Sequence, residues 1–103
     1  MRSKTYERGE LKLGKVFPPG HFIRTELQAR KWTQRKFARI LGRPPQFVSE
    51  LLNGKRSITP QAAVELSAAL GPSPTLFLNL QQTWDLSKVK PADPAIARRA
   101  RAA

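Results

Sequence analysis

One segment, Thr33 to Gly54, constrains the fold of this chain most strongly. Its helix-starting and helix-ending residues are spaced so that they enclose two short helices. Thr33 is a typical N-cap residue in front of a helical run. Gly42 follows where a helix ends and the backbone needs a positive φ. The dipeptide Pro44-Pro45 suits a tight turn and the first position of a second helix. The apolar stripe of the first helix is formed by Phe37, Ala38 and Leu41.

The second of these short helices has two distinct faces at helical spacing. Its apolar face is formed by Val48, Leu51 and Leu52. Its polar face is formed by Gln46, Ser49, Glu50 and Asn53. Polar side chains in such a row can reach base edges or phosphates in a DNA major groove. The plainer interpretation is an amphipathic helix whose polar face meets only water. The charge distribution favours the DNA-contacting interpretation instead.

The distribution of charge along the chain indicates a polyanionic partner. The 103 residues carry 19 Lys and Arg against 7 Asp and Glu, a net charge of +12. Within residues 20–85 nine cations stand against four acids, and all nine lie in Arg24–Arg56. No acid occurs in residues 28–48, and no cation occurs in residues 57–86. A basic half of this kind is typical of a phosphate-facing surface, with nucleic acid the first candidate and an anionic membrane the second.

The composition argues against several classes of protein. There is no cysteine, so neither a disulfide framework nor thiolate chemistry is expected. Because no apolar run is long enough to span a membrane and no signal-peptide core is present, we expect a soluble cytoplasmic protein. His21 is the single histidine and is predicted to be a surface residue. Without a phosphate-cradling glycine loop or clustered carboxylates, we expect no enzyme activity, no metal site and no cofactor.

Three further helices are predicted around the central segment. The first spans about 20–31, and the others, about 60–70 and 74–84, begin after the N-cap residues Thr59 and Ser73. The last helix carries more apolar surface than one face needs. We therefore expect part of it to pack on the core and part to form a homodimer interface. That interface is predicted to consist of Leu76, Phe77, Leu78, Leu80, Gln81 and Trp84.

The chain divides into three parts on composition. Residues 18–86 are predicted to form the helical DNA-binding and dimerisation domain. Residues 1–17 are expected to be a flexible basic segment, with a short strand as the alternative. Residues 87–103 are expected to be a basic, disordered tail, within which residues 96–101 could form a weak helical turn.

Over residues 18–86 the sequence resembles a known family. The five-helix spacing resembles the all-α, lambda-repressor-like (XRE/Cro-CI) helix-turn-helix fold. Five motifs stand in this order: PPG at 18–20, TQRKFARILG, FVSELLNGKRSIT, AAVELSAALG and SPTLFLNLQQTWDL. They are similar to those of HigA-type antitoxins. The final motif is the most specific to that family, whereas the TQ…LG…NGKR portion is shared across the superfamily.

The resemblance implies an antitoxin that binds a HigB/RelE-like mRNA-cleaving toxin. It also implies a homodimer that represses its own operon on palindromic, double-stranded operator DNA, in the cytoplasm of a bacterium. By position, Gln34 is expected to hold a phosphate and brace the second motif helix. Base edges are expected to meet Gln46, Ser49 and Glu50, and the DNA backbone to meet Arg43, Asn53 and Lys55. The complete predicted DNA-binding set is Gln34, Arg35, Arg43, Pro45, Gln46, Phe47, Ser49, Glu50, Asn53, Lys55 and Arg56.

Several positions depart from the family pattern. Pro18 and His21 stand where the family often has His and Glu, and Pro44 stands where a Ser or Thr cap is usual. Phe47 replaces a small polar residue, so it is expected either to touch a thymine methyl group or to pack against the turn. Glu50 is expected to accept from a cytosine amino group. The alternatives are a carboxylate that acts as a repulsive filter near phosphates and a pair with Lys55.

Other functions remain open at the level of sequence. A stand-alone helix-turn-helix regulator without a toxin partner would share every DNA-facing residue. RNA or membrane binding through the tails is disfavoured, because the chain lacks strand-borne aromatic residues and the tail lacks an amphipathic apolar face. We expect no membrane partner. For a toxin, the first 17 residues are the expected contact, with the first helix and the basic tail as the alternatives. That contact is expected to be largely apolar, because RelE-type toxins are themselves usually basic.

Overall fold

The computed structural model describes residues 16–103, and within that range the chain forms six helices and no strand. Five helices were predicted, and the first five observed ones match them closely. The count of five is nevertheless too low by one, because a further helix lies in the C-terminal tail. In chain order the helices are α1 (Pro19–Arg30), α2 (Gln34–Leu41), α3 (Pro45–Leu52), α4 (Pro60–Leu70), α5 (Pro74–Ser87) and α6 (Pro94–Ala102).

Side-chain caps begin three of these helices as predicted. The hydroxyl groups of Thr33, Thr59 and Ser73 each accept a hydrogen bond from the backbone N–H three residues on, at 3.0, 3.1 and 3.4 Å. Gly42 ends α2 in the left-handed region with φ of 70°. At the start of α3, Pro44 provides no side-chain cap. Helix α3, which presents the polar face, therefore begins without a capping hydroxyl like the one that Thr33 provides for α2.

Helices α1 to α5 share one apolar core. The pairs in contact include α2 with α3, α1 with α3, α4 with α5, α1 with α5 and α2 with α4. Burial of these side chains is the main force that holds the short helices together, since helices of eight residues are marginal alone. The buried apolar residues are Ile23, Leu27, Phe37, Ala38, Val48, Leu51, Leu52, Ile58, Ala62, Ala63, Leu66, Leu70 and Phe77.

Gly20 determines how closely α1 approaches the end of α3. A Cβ at this position would lie 2.3 Å from the carbonyl oxygen of Leu52 and 2.8 Å from its carbonyl carbon. The neighbouring atoms belong to the backbone and cannot rotate away, so only glycine permits this contact. The PPG motif thus places the first turn of α1 directly on the last turn of α3.

A second tie connects α1 to the end of α4. Arg30 donates to a carboxylate oxygen of Glu26 at 2.7 Å, as its i,i+4 spacing predicts, and to the carbonyl oxygen of Leu70 at 2.8 Å. Its guanidinium carbon lies 5.6 Å from the ring centroid of Trp32. The carbonyl group of Leu70, at the C-terminal end of α4, thereby gains a hydrogen-bond donor. The positive charge of Arg30 also interacts favourably with the negative end of the helix dipole.

The C-terminal tail differs from the expected disorder because it contains a capped helix. In α6, Asp93 accepts from the backbone N–H of Ala95 at 3.0 Å, and the helix contributes no buried residue to the core. Of the possible N-terminal strand, only Val16 and Phe17 are described; both are exposed and neither is in a strand. The rest of segment 1–17, including Leu11 and Leu13, lies outside the described residues.

Candidate nucleic-acid interface

Helix α3 buries one face and presents the other, as its residue spacing predicts. Val48, Leu51 and Leu52 are 0, 2 and 5% exposed. On the opposite face Gln46 and Asn53 are exposed, while Ser49 and Glu50 are half-buried in the surface. The polar row is therefore accessible to a large partner such as duplex DNA.

At the C-terminal end of α3, a residue of α1 joins the polar row. Arg24 donates through Nη2 to Oδ1 of Asn53 at 3.2 Å, and the same nitrogen lies 3.5 Å from the carbonyl oxygen of Leu52. Asn53 in turn donates to Oγ of Ser49 at 3.3 Å. Sequence reasoning missed Arg24, although its position one turn after Gly20 places it on the side of α1 that meets α3.

Along the exposed side of α3, Glu50 contacts two other predicted DNA-binding residues. Gln46 donates through Nε2 to one carboxylate oxygen of Glu50 at 2.9 Å. Arg56 donates to the other oxygen through Nε and Nη2, at 3.1 and 2.8 Å. The alternative pairing of Glu50 with Lys55 is therefore wrong, because Arg56 occupies that carboxylate. Hydrogen bonds from Gln46 and Arg56 lower the pKa of Glu50 below its ordinary value.

Two arginines lie over one aromatic ring on the same side of the domain. The guanidinium carbons of Arg43 and Arg56 are 4.9 and 4.8 Å from the ring centroid of Phe47. The ring also packs partly against the core, and its contact with a thymine methyl group stays a prediction. We call the connected side chains the Phe47 cluster; its members are Arg43, Gln46, Phe47, Glu50, Arg56 and Glu65.

Glu65, on α4, holds Arg43 from outside the two-helix motif. Arg43 donates through Nε and Nη2 to the two carboxylate oxygens of Glu65, at 2.9 and 2.6 Å. Gln61 donates to the same carboxylate at 3.1 Å. These hydrogen bonds lower the pKa of Glu65, and its carboxylate raises the pKa of Arg43. Such a fork-to-fork pair fixes direction as well as distance.

Three other predicted DNA-binding residues have different surroundings. Arg43 was expected simply to meet the DNA backbone, but its guanidinium is already engaged by Glu65. Gln34 was expected to brace α3; it is exposed at the first position of α2 and makes no side-chain hydrogen bond with another residue of the range 16–103. Pro45 is exposed as the first residue of α3.

Cations without an acidic partner lie mainly on α2 and beside it. Of the nine cations in residues 20–85, three form ion pairs: Arg30, Arg43 and Arg56. The other six have no ion pair within the described residues, and five of them are exposed. Those five are Lys31, Arg35, Lys36, Arg39 and Lys55.

The predicted dimer residues on α5 have mixed environments. Phe77 is fully buried in the monomer, so its assignment to an interface is wrong; it belongs to the core beside Phe22. Leu78 and Leu80 are partly buried against the core. Leu76 is 37% exposed, and the half-buried ring of Trp84 lies 4.2 Å from Nζ of Lys88.

Gln81, another predicted interface residue, already has an internal partner. Its Oε1 accepts from the backbone N–H of Ile58 at 2.9 Å, and its Nε2 donates to Asp85 at 2.9 Å. Ile58 lies in the loop between α3 and α4, just after Lys55 and Arg56. Helix α5 is therefore bonded to the loop that follows the polar row.

Residues 16–103 contain neither a membrane-spanning helix nor a cluster of metal-ligating side chains. None of the helices described there is long and apolar enough to cross a membrane. In the same range no group of three or more His, Cys, Asp or Glu side chains is arranged to hold a metal ion.

The chain is similar to a transcriptional regulator and to two antidote proteins of known structure. HTH-type transcriptional regulator YddM of Escherichia coli strain K12, itself uncharacterized, is 39% identical over 72 residues, covering 70% of this chain and 77% of YddM. A crystal structure from Nostoc punctiforme PCC 73102, described as a candidate antidote protein of a plasmid maintenance system, is 42% identical. It covers 71% of this chain and 80% of its own, with a TM-score of 0.67.

A HigA-family addiction module antidote protein from Coxiella burnetii is 29% identical and also has a TM-score of 0.67, covering 77% of this chain and all of its own. The helix-turn-helix family matches residues 23–77, more than half of the chain. That range includes α2, α3 and the loop that carries Lys55 and Arg56. The chain therefore belongs to the helix-turn-helix family of DNA-binding regulators.

Proposed function

We propose that this chain is the HigA-type antitoxin of a type II toxin–antitoxin pair. In this role it binds a RelE-like mRNA-cleaving toxin and, as a homodimer, represses its own operon on a palindromic operator. The exposed polar face of α3, beside unpaired cations, carries the DNA-binding part of the proposal. The likeness to two antidote proteins, at 42 and 29% identity, supports the toxin-binding part.

In the proposed complex, two copies of α3 enter successive major grooves about 34 Å apart on an inverted repeat. Gln46 suits the reading of adenine. One of its two amide hydrogens is used by Glu50, which leaves the second hydrogen for N7 and Oε1 for the N6 amino group. Sequence-independent affinity comes from the unpaired cations, which replace counterions along the phosphates.

The contact expected with the toxin is the N-terminal segment, residues 1–17. Val16 and Phe17, at its described end, are 43 and 53% exposed and offer apolar surface. Deleting residues 1–17 should abolish co-purification with the toxin while leaving operator binding in place. Retention of the toxin by the truncated chain would exclude this segment as the main contact.

The decisive experiment is footprinting of the promoter upstream of the chain's own gene, with and without the product of the neighbouring gene. We expect protection of two half-sites about one helical turn apart, with a stronger or altered footprint when the neighbouring product is present. No protection at any salt concentration down to low ionic strength would contradict the repressor role.

A second candidate is a stand-alone transcriptional regulator without a toxin. The relative at 39% identity is described as a transcriptional regulator and not as an antidote, which favours this reading. The two candidates differ in one measurement: only the antitoxin co-purifies with a toxin-like product of an adjacent gene and neutralises it.

A further inference from the structure

The Phe47 cluster is electrically neutral even though it lies in the most basic part of the chain. Its two guanidinium groups, on Arg43 and Arg56, are balanced by the carboxylates of Glu65 and Glu50, each at hydrogen-bonding distance. Paired charges attract a distant phosphate weakly, because the field of one cancels that of the other. The cluster is therefore poorly suited to supply general affinity for DNA.

The same cluster is well suited to fix side-chain directions. From Glu65 the contacts run to Arg43, then to the Phe47 ring, to Arg56, to Glu50 and finally to Gln46. Both carboxylate oxygens of Glu50 and both of Glu65 accept hydrogen bonds. Long side chains that would otherwise sample many rotamers are thus arranged before DNA arrives, which lowers the entropy cost of binding.

We propose that Glu65 is a positioning residue for DNA recognition. It holds Arg43 over Phe47, and through that ring it keeps Arg56, Glu50 and Gln46 in the arrangement that reads bases. The inference rests on the proposed binding of operator DNA and extends it to a residue on α4, outside the two motif helices. The cluster contributes discrimination between sequences, whereas the unpaired cations contribute affinity for any duplex.

A charge argument makes the proposal testable. Replacing an acid by its neutral isostere normally strengthens binding to all DNA and steepens the salt dependence, because the net positive charge increases. For Glu65→Gln we expect the reverse on the promoter duplex: about a tenfold loss of affinity, the size of one weakened base contact. Affinity for a random duplex of equal length should stay level or rise.

Glu26→Gln is the matched control. It removes the same charge from another half-exposed ion pair, Glu26 with Arg30, that has no link to the Phe47 cluster. Both duplexes should bind this variant equally well or slightly better than they bind the original chain. If Glu65→Gln behaves like Glu26→Gln on both duplexes, the positioning role is overturned.

Two substitutions of the ring test the path through Phe47. Phe47→Tyr keeps the aromatic face and should keep the preference for the promoter duplex, whereas Phe47→Leu keeps apolar packing and should lose about tenfold of it. Thermal unfolding of each variant shows whether a loss of binding preference comes from a destabilised fold. Equal preference in both ring variants would overturn the path. If the original chain itself shows no preference for the promoter, the proposed function fails together with this inference.

Discussion

The two ends of α3 are held in different ways. At the C-terminal end, the backbone of Leu52 packs directly against Gly20, and Arg24 bonds to the same region from α1. At the N-terminal end, Pro44 provides no side-chain cap, and the side chains of the Phe47 cluster make the contacts. One end is therefore fixed by the packed core and the other by partly exposed groups.

This difference separates stability from recognition along a single helix. A change at the C-terminal end disturbs backbone packing and should appear in the free energy of unfolding. A change at the N-terminal end alters partly exposed hydrogen bonds, which contribute little net stability but decide where side chains point. In helix-turn-helix proteins the N-terminal residues of the recognition helix contact base edges. Under the proposed function, the end held by partly exposed side chains is therefore also the end that reads bases.

The largest expected effect comes from Gly20→Ala. The added methyl group would overlap the backbone of Leu52, so we expect a loss of about 3 kcal/mol in the free energy of unfolding, measured by urea denaturation. Gly42→Ala is the control, because a Cβ there has no neighbour within 4 Å and meets only the strain of a positive φ. That control should cost about 1–2 kcal/mol. Equal losses would show that the close approach of α1 to α3 has no special role.

At the reading end, Gln46→Ala should weaken binding to the promoter duplex by about 1–3 kcal/mol and leave stability within about 0.5 kcal/mol of the original. Lys55→Ala should weaken promoter and random duplexes equally and flatten the salt dependence by about one unit. Band-shift titrations at several salt concentrations measure both. If Gln46→Ala loses no promoter affinity, another face of the molecule reads the DNA.

The helix starts provide a smaller test. Thr33→Ala removes the hydroxyl that accepts from the backbone of Lys36 and should cost about 1 kcal/mol of stability. Pro44→Ser adds a cap to α3 but gives up the rigidity of proline, and the two effects should cancel to within about 0.5 kcal/mol. Urea denaturation of both variants measures the difference. A large stabilisation by Pro44→Ser would mean that the missing cap limits the N-terminal end more than packing does.

The smallest expected effect is on the pH dependence of stability. The folded-state pKa values of Glu50 and Glu65 are lowered by their hydrogen bonds. Their contribution is therefore present above the unfolded pKa of glutamate, about 4.3, and is lost as pH falls through the lower folded values. In the double variant Glu50→Gln, Glu65→Gln the decline in melting temperature below that pH should be shallower. If the melting temperature of the double variant declined as steeply with falling pH as that of the original chain, these carboxylates would have the same pKa in the folded and unfolded states.

The sequence predicts the helices better than the contacts between them. Thr33, Gly42 and Thr59 act locally, so their effect on helix boundaries is visible without a tertiary structure. The bond from Arg43 to Glu65 joins residues 22 positions apart, and no local pattern identifies Glu65 among exposed acids. Arg24 was missed for the same reason. Phe77 was misassigned because an apolar helix of the right period does not reveal which of its sides faces the core.

Helix α6 begins with a local signal that the sequence analysis did not use, because Asp93-Pro94 repeats the cap-and-proline pattern of Thr59-Pro60 and Ser73-Pro74. A short Ala- and Arg-rich run after Pro94 has good helix propensity, but its length is marginal for an isolated helix. Propensity alone therefore gave a weak turn where the structure has a capped helix of nine residues.

The hydrogen bond from the backbone of Ile58 to Gln81 has a consequence for the loop that follows α3. Ile58 is also buried in the core, so the loop is attached to the domain just after Lys55 and Arg56. The amide side chain of Gln81 therefore helps to set how the segment that carries these two cations lies against α5.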